Sequence, residues 1–335
     1  MKVSFIASVY NTSKYVERFI RSLAEQTLED IEIVVIDDGS QDDSIEIIKR
    51  VIKEYPSREK RLSIYTNKTN KGIAEGRRQG FSNSSGDYII FVDSDDFVDV
   101  RMAEVLYNKA VETGADTVLC DFYRYYEGNA RHNTIVPNGL INDGDNIKSD
   151  IINRDVPPFI WCRIINRRVI EDHDFIWPKG SLGEDTVIGG ESIYYSRKIA
   201  YVNEPLYYYR YNPTSVTHNT NEAQCLKNYN SFKINVEIFI GFLEKEGVVD
   251  KYSRGVLINK LRTKNRLLPL TKEAKYRKAW WDTFPEINRI LLFGNKQYRT
   301  SYKEWIWVAA ILFGLYPRCK KKLLTNRLCP GEIWM

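Results

Sequence analysis

The sequence of 335 residues is poor in the side chains that build soft-metal and thiol sites, with only 3 His and 5 Cys. The cysteines are odd in number, are scattered along the chain and form no C-x-x-C pair. A zinc ribbon, a disulfide scaffold and a thioredoxin-like centre are therefore not expected, and this usage favours a reducing cytosol. A secretory signal pattern is also missing at the start of the sequence, which opens with a strand-like segment.

Two glycine-rich phosphate-binding motifs are missing as well. The first predicted strand runs into SVYNT at residues 8–12, so there is no G-x-G-x-x-G dinucleotide fingerprint, and no G-x-x-x-x-G-K-[ST] loop occurs. A phosphate group must then be held by a metal ion and by basic side chains. Arg77 and Arg78 are candidates for that contact, although a solvated helix face would explain them equally well.

The composition is that of a globular protein, with 43% hydrophobic and 28% charged residues. Charge is unevenly distributed: residues 206–335 hold 23 Lys and Arg against 10 Asp and Glu, although the net charge of the whole chain is only +5. The length and this asymmetry predict a domain of residues 1–220 and a basic, mainly helical region of residues 221–335.

Short apolar runs rich in β-branched residues alternate with helical stripes over the first 120 residues. The predicted strands cover residues 3–8, 31–36, 62–65, 88–92 and 117–120, and the predicted helices cover residues 15–23, 45–52, 73–81 and 105–111. Such alternation predicts an α/β fold with a mostly parallel sheet and helices on both faces. Residues 120–180 lose this period and are interpreted as loop-rich, and residues 201–210 as a strand pair.

Polar residues follow three of these strands, at residues 8–11, 37–38 and 93–96. Ligands of such sheets bind at the carboxyl ends of the strands, so we expect these residues to line one crevice. Asp93 and Asp95 carry oxygen ligands two residues apart, which favours Mg²⁺ or Mn²⁺ holding a substrate diphosphate. The alternative is that these acids cap the following helix.

Two further carboxylate sites are candidates for chemistry. Asp37 and Asp38 end the second strand and can accept hydrogen bonds from a base or a ribose, or they can cap the following helix. Glu184 and Asp185 lie in the loop-rich part, where a carboxylate facing the metal can take a proton from an attacking hydroxyl. Acids are equally ordinary at a helix start.

Taken together, these motifs resemble those of family 2 glycosyltransferases with the GT-A fold. The resemblance covers about residues 1–215 and depends on the order and spacing of the whole series. The matching segments are Val9-Tyr10-Asn11, Val35-Ile36-Asp37-Asp38-Gly39-Ser40, Asn70-x-Gly72, Arg77, Phe91-Val92-Asp93-Ser94-Asp95-Asp96 and Gly183-Glu184-Asp185.

The resemblance implies a role for each matching residue. Asp185 would be the catalytic base, Asp95 the direct metal ligand, assisted by Asp93, and Asp38 the partner of the uracil edge. The nucleotide-sugar contacts would come from Ser8, Tyr10, Asn11, Asp38, Asn70, Gly72, Arg77, Asp93 and Ser94. One departure is that family members often have Arg-Asn where this chain has Arg77-Arg78.

The resemblance therefore implies an inverting, metal-dependent enzyme that moves a sugar from a UDP-sugar to a saccharide or lipid-linked saccharide, in surface polysaccharide biosynthesis. Mn²⁺ or Mg²⁺ would be the cofactor, and no nucleic-acid module is recognised. The alternatives are a nucleotide-sugar-forming nucleotidyltransferase, a phosphoacceptor signalling domain and an inactive nucleotide-binding homologue.

Some segments outside these motifs also carry expectations. The apolar residues 305–316, followed by basic residues up to 322, suit peripheral contact with anionic lipid at the inner face of the plasma membrane, or else form a buried helix. Residues 209–218 also resemble the family's mobile stretch after the base, which implies His218 as a diphosphate contact, and the alternative is an exposed loop histidine. Trp161, Trp177 and residues 207–209 either line an acceptor groove or pack in the core.

Overall fold

The computed structural model describes residues 1–126, 128–135, 144–153, 159–178, 182–212, 221–293, 308–309 and 311–313. The chain divides into two compact units, one of residues 1–151 with 156–212 and the other of residues 152–155 with 213–335. The candidate site motifs all belong to the first unit.

Strands and helices alternate along the first unit. The strands are β1 (Val3–Val9), β2 (Ile31–Asp37), β3 (Leu62–Thr66), β4 (Tyr88–Phe91), β5 (Phe97–Val98), β6 (Thr117–Tyr126), β7 (Asn129–Asn133), β8 (Arg163–Asn166) and β9 (Ile199–Arg210). The helices are α1 (Val16–Ala24), α2 (Ser44–Ile52), α3 (Pro56–Glu59), α4 (Ile73–Ser82), α5 (Met102–Thr113), α6 (Gly144–Ile152), α7 (Arg168–Glu171) and α8 (Glu184–Tyr195).

The described strands form one mixed sheet in the order β3-β2-β1-β4-β8-β6-β9-β5, with β7 paired to β6. β3, β2, β1 and β4 are mutually parallel, whereas β8 runs antiparallel to both of its neighbours. The register places Val9 beside Asp37 and Ile6 beside Phe91. The polar residues after β1, β2 and β4 therefore follow neighbouring strands at one edge, as the sequence predicts.

Helices cover the sheet on both faces. Ile6 lies in a buried cluster with Ala74 of α4 and Ile188 of α8. Its neighbours Phe5 and Ala7 point to the opposite face, because side chains alternate along a strand, and they are buried as well. This two-sided burial explains why β1 is a continuous apolar run rather than an alternating one.

Helix α4 approaches β1 unusually closely. A Cβ atom added to Gly76 would lie 2.4 Å from Ser8 Oγ, and one added to Gly80 would lie 2.2 Å from Ile6 Cγ2. Only glycine fits at either position without movement of the strand side chains. The close approach places Arg77, the residue after Gly76, directly against the carboxyl edge of the sheet.

Parts of the sequence-based assignment are wrong. Residues 120–180 contain the rest of β6, then β7, α6, β8 and α7, and residues 201–210 belong to one strand, β9, rather than to a strand pair. β8 and β9 pair with β6 across long sequence separations, whereas β7 pairs with β6 in a hairpin, and the polar and aromatic residues of these strands carry no clear period. In α5 the buried face runs through Met102, Ala103, Leu106 and Ala110, and Val111 is 59% exposed.

The second unit is helical where it is described, as predicted for residues 221–335. It contains α9 (Glu222–Lys245), α10 (Ser253–Asn265), a 3₁₀ turn (Leu268–Leu270), α11 (Ala274–Asp282) and α12 (Glu286–Phe293). Trp280 is completely buried in its hydrophobic core. Beside it the buried Lys264 donates to Thr283 O (2.6 Å) and Asn288 Oδ1 (2.8 Å), and burial lowers the pKa of Lys264 to about 8.

The apolar segment near the end of the chain is only partly described. Val308 and Ile311 are buried in the same core, which supports the buried-helix interpretation at these positions. Leu312 and Phe313 are exposed, Phe313 to 78%. The basic residues 318–322 and His218 lie outside the described residues. Among the described helices, none combines the length and the apolar character that crossing a membrane requires.

Candidate active site

The acidic loop between β4 and β5 is fixed by the end of β9. The Tyr207 hydroxyl accepts from Asp93 N (3.2 Å) and donates to Asp96 Oδ2 (2.7 Å), and Arg210 N donates to Asp96 Oδ1 (2.7 Å). Asp96 is completely buried, and burial together with the charges of Asp95 and Asp93 raises its pKa well above the ordinary value. Asp96 therefore anchors the loop rather than facing a ligand.

Asp95 is held from two sides. Its Oδ2 accepts from Asn212 Nδ2 (3.1 Å), and its backbone carbonyl accepts from Arg210 Nε (2.9 Å). Tyr15 OH donates in turn to Asn212 Oδ1 (3.3 Å). Burial raises the pKa of Asp95, and the charge of Asp93 raises it further. The carboxylate is therefore short of compensating positive charge.

Three carboxylates from two distant segments meet at Arg77. Arg77 Nη2 donates to Asp93 Oδ1 (3.0 Å), and Nη1 donates to Glu184 Oε1 (3.0 Å) and Asp185 Oδ1 (2.8 Å). The guanidinium side chain is only 3% exposed. This contact joins the loop after β4 to the first turn of α8, so the structure brings the predicted base beside the predicted metal-binding motif.

The electrostatics of this cluster favour sharing of protons between the acids. Burial raises the pKa of Glu184 to about 7, the charge of Asp185 adds to the rise, and Arg77 opposes it. Burial also raises the pKa of Asp185, again against Arg77. Burial alone lowers the pKa of Arg77, but the charges of Asp185, Asp93 and Glu184 raise it above its ordinary value. Arg77 therefore stays charged at every physiological pH.

Asp38 orders the loop that leads into α4. Its buried carboxylate accepts from Lys71 N (2.9 and 3.0 Å), Gly72 N (2.8 Å) and Asn67 Nδ2 (3.0 Å). Gly72 precedes α4 with φ at 95°, a backbone conformation that favours glycine. The contact of Asp38 with a nucleobase remains a prediction.

The capping alternative for Asp37 and Asp38 is wrong. The N-cap of α2 is Asp43, and the Ser44 backbone N–H donates to Asp42 Oδ1 (3.1 Å). Asp37 instead accepts from Ser40 N (2.9 Å) and closes the turn after β2.

The loop after β1 lies beside the loop after β2. Asn11 adopts φ 52°, and its Oδ1 accepts from Gln41 N (2.8 Å). Thr12 Oγ1 donates to Ser94 Oγ (3.3 Å), which links this loop to the acidic loop. Ser8 faces Gly76, and Tyr10 is exposed beside Asn11.

Two of the predicted contact residues lie on the surface of the loop and helix around Arg77. Asn70 is exposed in the loop before α4. Arg78 is 45% exposed and forms an ion pair with Glu75 one turn earlier, as the solvated-face interpretation expects. It therefore does not share the buried carboxylate cluster of Arg77.

Several of the aromatic candidates for an acceptor groove belong to the core. Trp161 and Tyr207 are buried and stack with ring centroids 4.4 Å apart. Trp177 packs against Phe81 (5.9 Å) and Phe91 (6.3 Å) and remains partly accessible. Tyr209 is also partly accessible beside Trp161. Packing therefore accounts for the buried members of this set.

The residues present suit a divalent cation that arrives with a diphosphate. Across the described residues, no group of three or more His, Cys, Asp and Glu side chains is arranged to hold a metal ion by itself. Magnesium-type ions are commonly bound through one or two carboxylates together with substrate phosphates and water. Asp93 and Asp95 match that smaller donor set, and burial together with the charge of Asp93 raises the pKa of Asp95.

Sequence reasoning missed several residues that position the site. Tyr207, Arg210 and Asn212 hold the acidic loop from the far end of β9. The sequence contains a signal for Tyr207, which is the first of three consecutive tyrosines at residues 207–209. Because alternate residues of a strand share a face, Tyr207 and Tyr209 are expected on the same side of the sheet. No local pattern indicates a role for Asn212.

Comparison with known proteins identifies the family. Residues 4–173, about half of the chain, match the model for Glycosyl transferase family 2. Glycosyltransferase GlyA of Streptococcus pneumoniae serotype 4 is 32% identical over 223 residues, which cover 62% of this chain and 30% of GlyA. The putative glycosyltransferase EpsH of Bacillus subtilis is 29% identical over 219 residues, which cover 64% of this chain and 62% of EpsH. The matches thus span less than two thirds of these relatives.

Solved structures show the same fold. Staphylococcus aureus TarS 1-349 in complex with UDP superimposes with a TM-score of 0.54 at 19% identity, covering 95% of this chain and 81% of that chain. The mannosyltransferase PcManGT from Pyrobaculum calidifontis, in complex with GDP-Man and Mn²⁺, gives a TM-score of 0.53 at 15% identity, covering 93% and 85%. The predicted GT-A fold is confirmed, and with the family match it follows that this chain belongs to glycosyltransferase family 2.

Proposed function

We propose that the chain is an inverting glycosyltransferase that moves a sugar from a UDP-sugar to a hydroxyl of a saccharide or lipid-linked saccharide, in the building of a surface polysaccharide. The observation that carries this proposal is the meeting of Asp93 and Asp185 at Arg77, beside Asp95, at the carboxyl edge of the sheet. Residues 1–220 would form the catalytic domain. UDP is favoured as the nucleotide because the TarS neighbours include complexes with UDP and UDP-GlcNAc.

The proposed chemistry is a single displacement. The acceptor hydroxyl gives its proton to the Asp185 carboxylate while its oxygen bonds to the anomeric carbon. The bond from that carbon to the diphosphate oxygen breaks, its electron pair leaves with UDP, and the configuration inverts. Asp95 and Asp93 would hold Mn²⁺ or Mg²⁺, which supplies positive charge to the leaving diphosphate.

The donor would lie across the loops that surround this edge. Tyr10 and Asn11 would contact the nucleotide, and Asp38 would face the uracil edge while keeping the loop before α4 in place. Ser8, Asn70, Gly72 and Ser94 complete the proposed contact set. Their support is position: Ser8 lies at the carboxyl end of β1, Ser94 in the loop after β4, and Asn70 and Gly72 in the loop that leads into α4.

The acceptor side of the proposal includes contact with a membrane. Residues 305–322 would touch anionic lipid at the cytoplasmic face, where a lipid-linked acceptor is available. Because Val308 and Ile311 are buried, that contact would use the exposed Leu312 and Phe313 together with the basic residues that follow. Co-sedimentation with phosphatidylglycerol vesicles, compared with neutral vesicles, tests it, and equal recovery with both would contradict it.

A screen of nucleotide-sugars tests the proposed reaction. With Mn²⁺ present, the wild type should release UDP from at least one UDP-hexose, and the product should have the inverted anomeric configuration by NMR. Release of GDP but not UDP, or retention of configuration, would contradict the proposal. Formation of a UDP-sugar from UTP and a sugar phosphate would instead support the nucleotidyltransferase alternative.

A further inference from the structure

Both terminal nitrogens of the Arg77 guanidinium are engaged with protein carboxylates. Its two terminal nitrogens contact Asp93, Glu184 and Asp185 at 2.8–3.0 Å, and the side chain is buried between α4 and the first turn of α8. The three partners lie 16, 107 and 108 residues after Arg77 in the sequence. A donor phosphate that approached this guanidinium would compete with three carboxylates for its single positive charge.

The position of Asp185 depends on this contact. Asp185 lies in the first turn of α8, just after Gly183, which has a left-handed backbone. Within the described residues, Arg77 provides the side-chain hydrogen bond that aims its carboxylate toward Asp93. The other charged groups that act on Asp185 are Asp93 from the acidic loop, Glu184 on its own helix and Arg163 of β8. Of the two arginines, the structure gives only Arg77 a direct ion pair with Asp185.

Glu184 makes the charge of Arg77 necessary. Three carboxylates share one guanidinium, and burying them without it would leave like charges side by side. Lysine cannot replace arginine fully here, because an ammonium is a point charge and lacks the planar fork that reaches several carboxylates at once.

We propose that Arg77 is a positioning residue of the transfer reaction, which fixes the Asp185 carboxylate beside Asp93, and that it does not bind the donor phosphates. This inference rests on the proposed function, in which Asp185 is the base. It replaces the phosphate contact that the sequence suggested for Arg77, and it assigns to α4 the task of joining the donor side of the site to the acceptor side.

The variant Arg77→Lys separates the two roles. Positive charge is kept, but the bridge between Asp93 and Asp185 is lost, and misplacement of a reacting group by about 1 Å can cost on the order of 100-fold in rate. We expect kcat to fall by about that factor. The affinity for UDP, measured by calorimetry with Mn²⁺, should change less than about threefold, because a positioning residue contributes little to ground-state binding.

Arg78→Lys is the matched control. Arg78 is the next residue on the same helix, and its described ion pair is with Glu75. This control should keep the wild-type kcat. In the Asp185→Asn background, Arg77→Lys should cost little further rate, since a residue that acts through Asp185 has nothing left to position.

Three results would overturn the inference: a UDP affinity that falls as far as kcat, a kcat equal to that of Arg78→Lys, or a full further loss in the Asp185→Asn background. Circular dichroism and thermal unfolding establish that each variant is folded. If Arg77→Lys does not fold, the same measurements are made on Arg77→Lys with Glu184→Gln, in which one buried carboxylate is removed, and the same results decide. A wild type that binds no nucleotide and has no transferase activity overturns the proposed function itself.

Discussion

At the scale of single residues, the candidate site has few basic side chains to pair with its buried acidic side chains. Arg77 contacts Asp93, Glu184 and Asp185, while the raised pKa of Asp95 reflects burial and the nearby charge of Asp93. Such an arrangement is costly in the free protein, and under the proposed function a cation that arrives with the donor would relieve it. The unfavourable burial of acidic side chains therefore lies at the site where the proposed reaction moves charge.

Replacing Asp185 by asparagine should slow transfer severely, leaving a small residual rate, and spare donor binding. The amide keeps the size of the side chain but cannot accept the acceptor's proton, and general base catalysis is worth about 100- to 10,000-fold. Steady-state kinetics and UDP calorimetry measure the two effects. Turnover at the wild-type rate would remove Asp185 as the base.

The acid limb of the pH–rate profile should lie at a higher pH than an ordinary aspartate would give. Asp185 must be ionised to act as a base, and burial raises its pKa against the opposing charge of Arg77. Activity should therefore fall as the pH drops to this raised pKa. In Glu184→Gln one negative charge is removed beside Asp185, so the limb should move to lower pH.

The free energy of unfolding should also depend on pH, through the ionisation of Glu184. Because the folded-state pKa of Glu184 is raised above its unfolded value, its contribution to the free energy of unfolding is fully present below the unfolded value and is lost as the pH rises through about 7. Chemical denaturation of the wild type and of Glu184→Gln at several pH values measures this. If the wild type and Glu184→Gln have the same pH dependence of the rate and the same pH dependence of the stability, the raised pKa does not belong to Glu184.

Local motifs predict the acids but not their partners. Asp93, Asp95 and Asp185 are recognisable because they follow a strand or open a helix within a known series of motifs. The meeting of Arg77 with Asp185 depends on packing between residues 108 positions apart, which no local pattern encodes. The same is true of Asn212, which reaches Asp95 across 117 positions.

At the scale of elements, the approach of α4 to β1 sets the position of Arg77. Gly76 leaves no room for a Cβ atom, because Ser8 Oγ would lie 2.4 Å away. Gly76→Ala should therefore push α4 off the strand, destabilise the protein by about 1–3 kcal/mol, weaken UDP binding through Ser8 and slow transfer through the displaced Arg77.

The control for this prediction is Gly241→Ala in α9. An added Cβ there meets nothing within 4 Å, and alanine in a helix interior is favoured over glycine by about 0.5–1 kcal/mol. This variant should be slightly more stable than the wild type and bind UDP equally. A Gly76→Ala variant with wild-type stability would show that the helix is free to shift.

The sequence predicts whether an element is a helix or a strand where the period of its apolar residues matches the residues that are buried. Strands β1, β2 and β4 and helices α1 and α2 follow from the sequence, because each has a buried apolar stripe or run. β3 was also predicted, although none of its residues is buried. β7 is exposed along most of its length and carries no such stripe. It exists because its backbone pairs with β6, which is a property of the hairpin rather than of its residues.

At the scale of the whole molecule, the sequence predicted two parts of different charge and secondary structure. The predicted helical character of the C-terminal part is confirmed where that part is described, while the domain bounds of residues 1–220 and 221–335 stay a prediction. The asymmetry of charge explains neither fold, because net charge governs association rather than architecture. Sugar identity and acceptor depend on loops whose shape composition does not reveal.

Nucleotide binding should stabilise the molecule as a whole. A ligand that binds only the folded state adds about 2.7 kcal/mol at a concentration one hundred times its Kd. UDP with Mn²⁺ should therefore raise the Tm measured by calorimetry, while UDP with EDTA should raise it much less. An equal shift without the metal would contradict a role for the cation.

Calorimetric titration of UDP in the presence of Mn²⁺, into the wild type and into Asp95→Ala, tests most directly whether the acidic loop holds the donor through a cation. The account predicts that the wild type binds UDP only with the metal and that Asp95→Ala loses this metal-dependent binding while keeping its fold. Equal UDP affinity in the two proteins with Mn²⁺ present would contradict it.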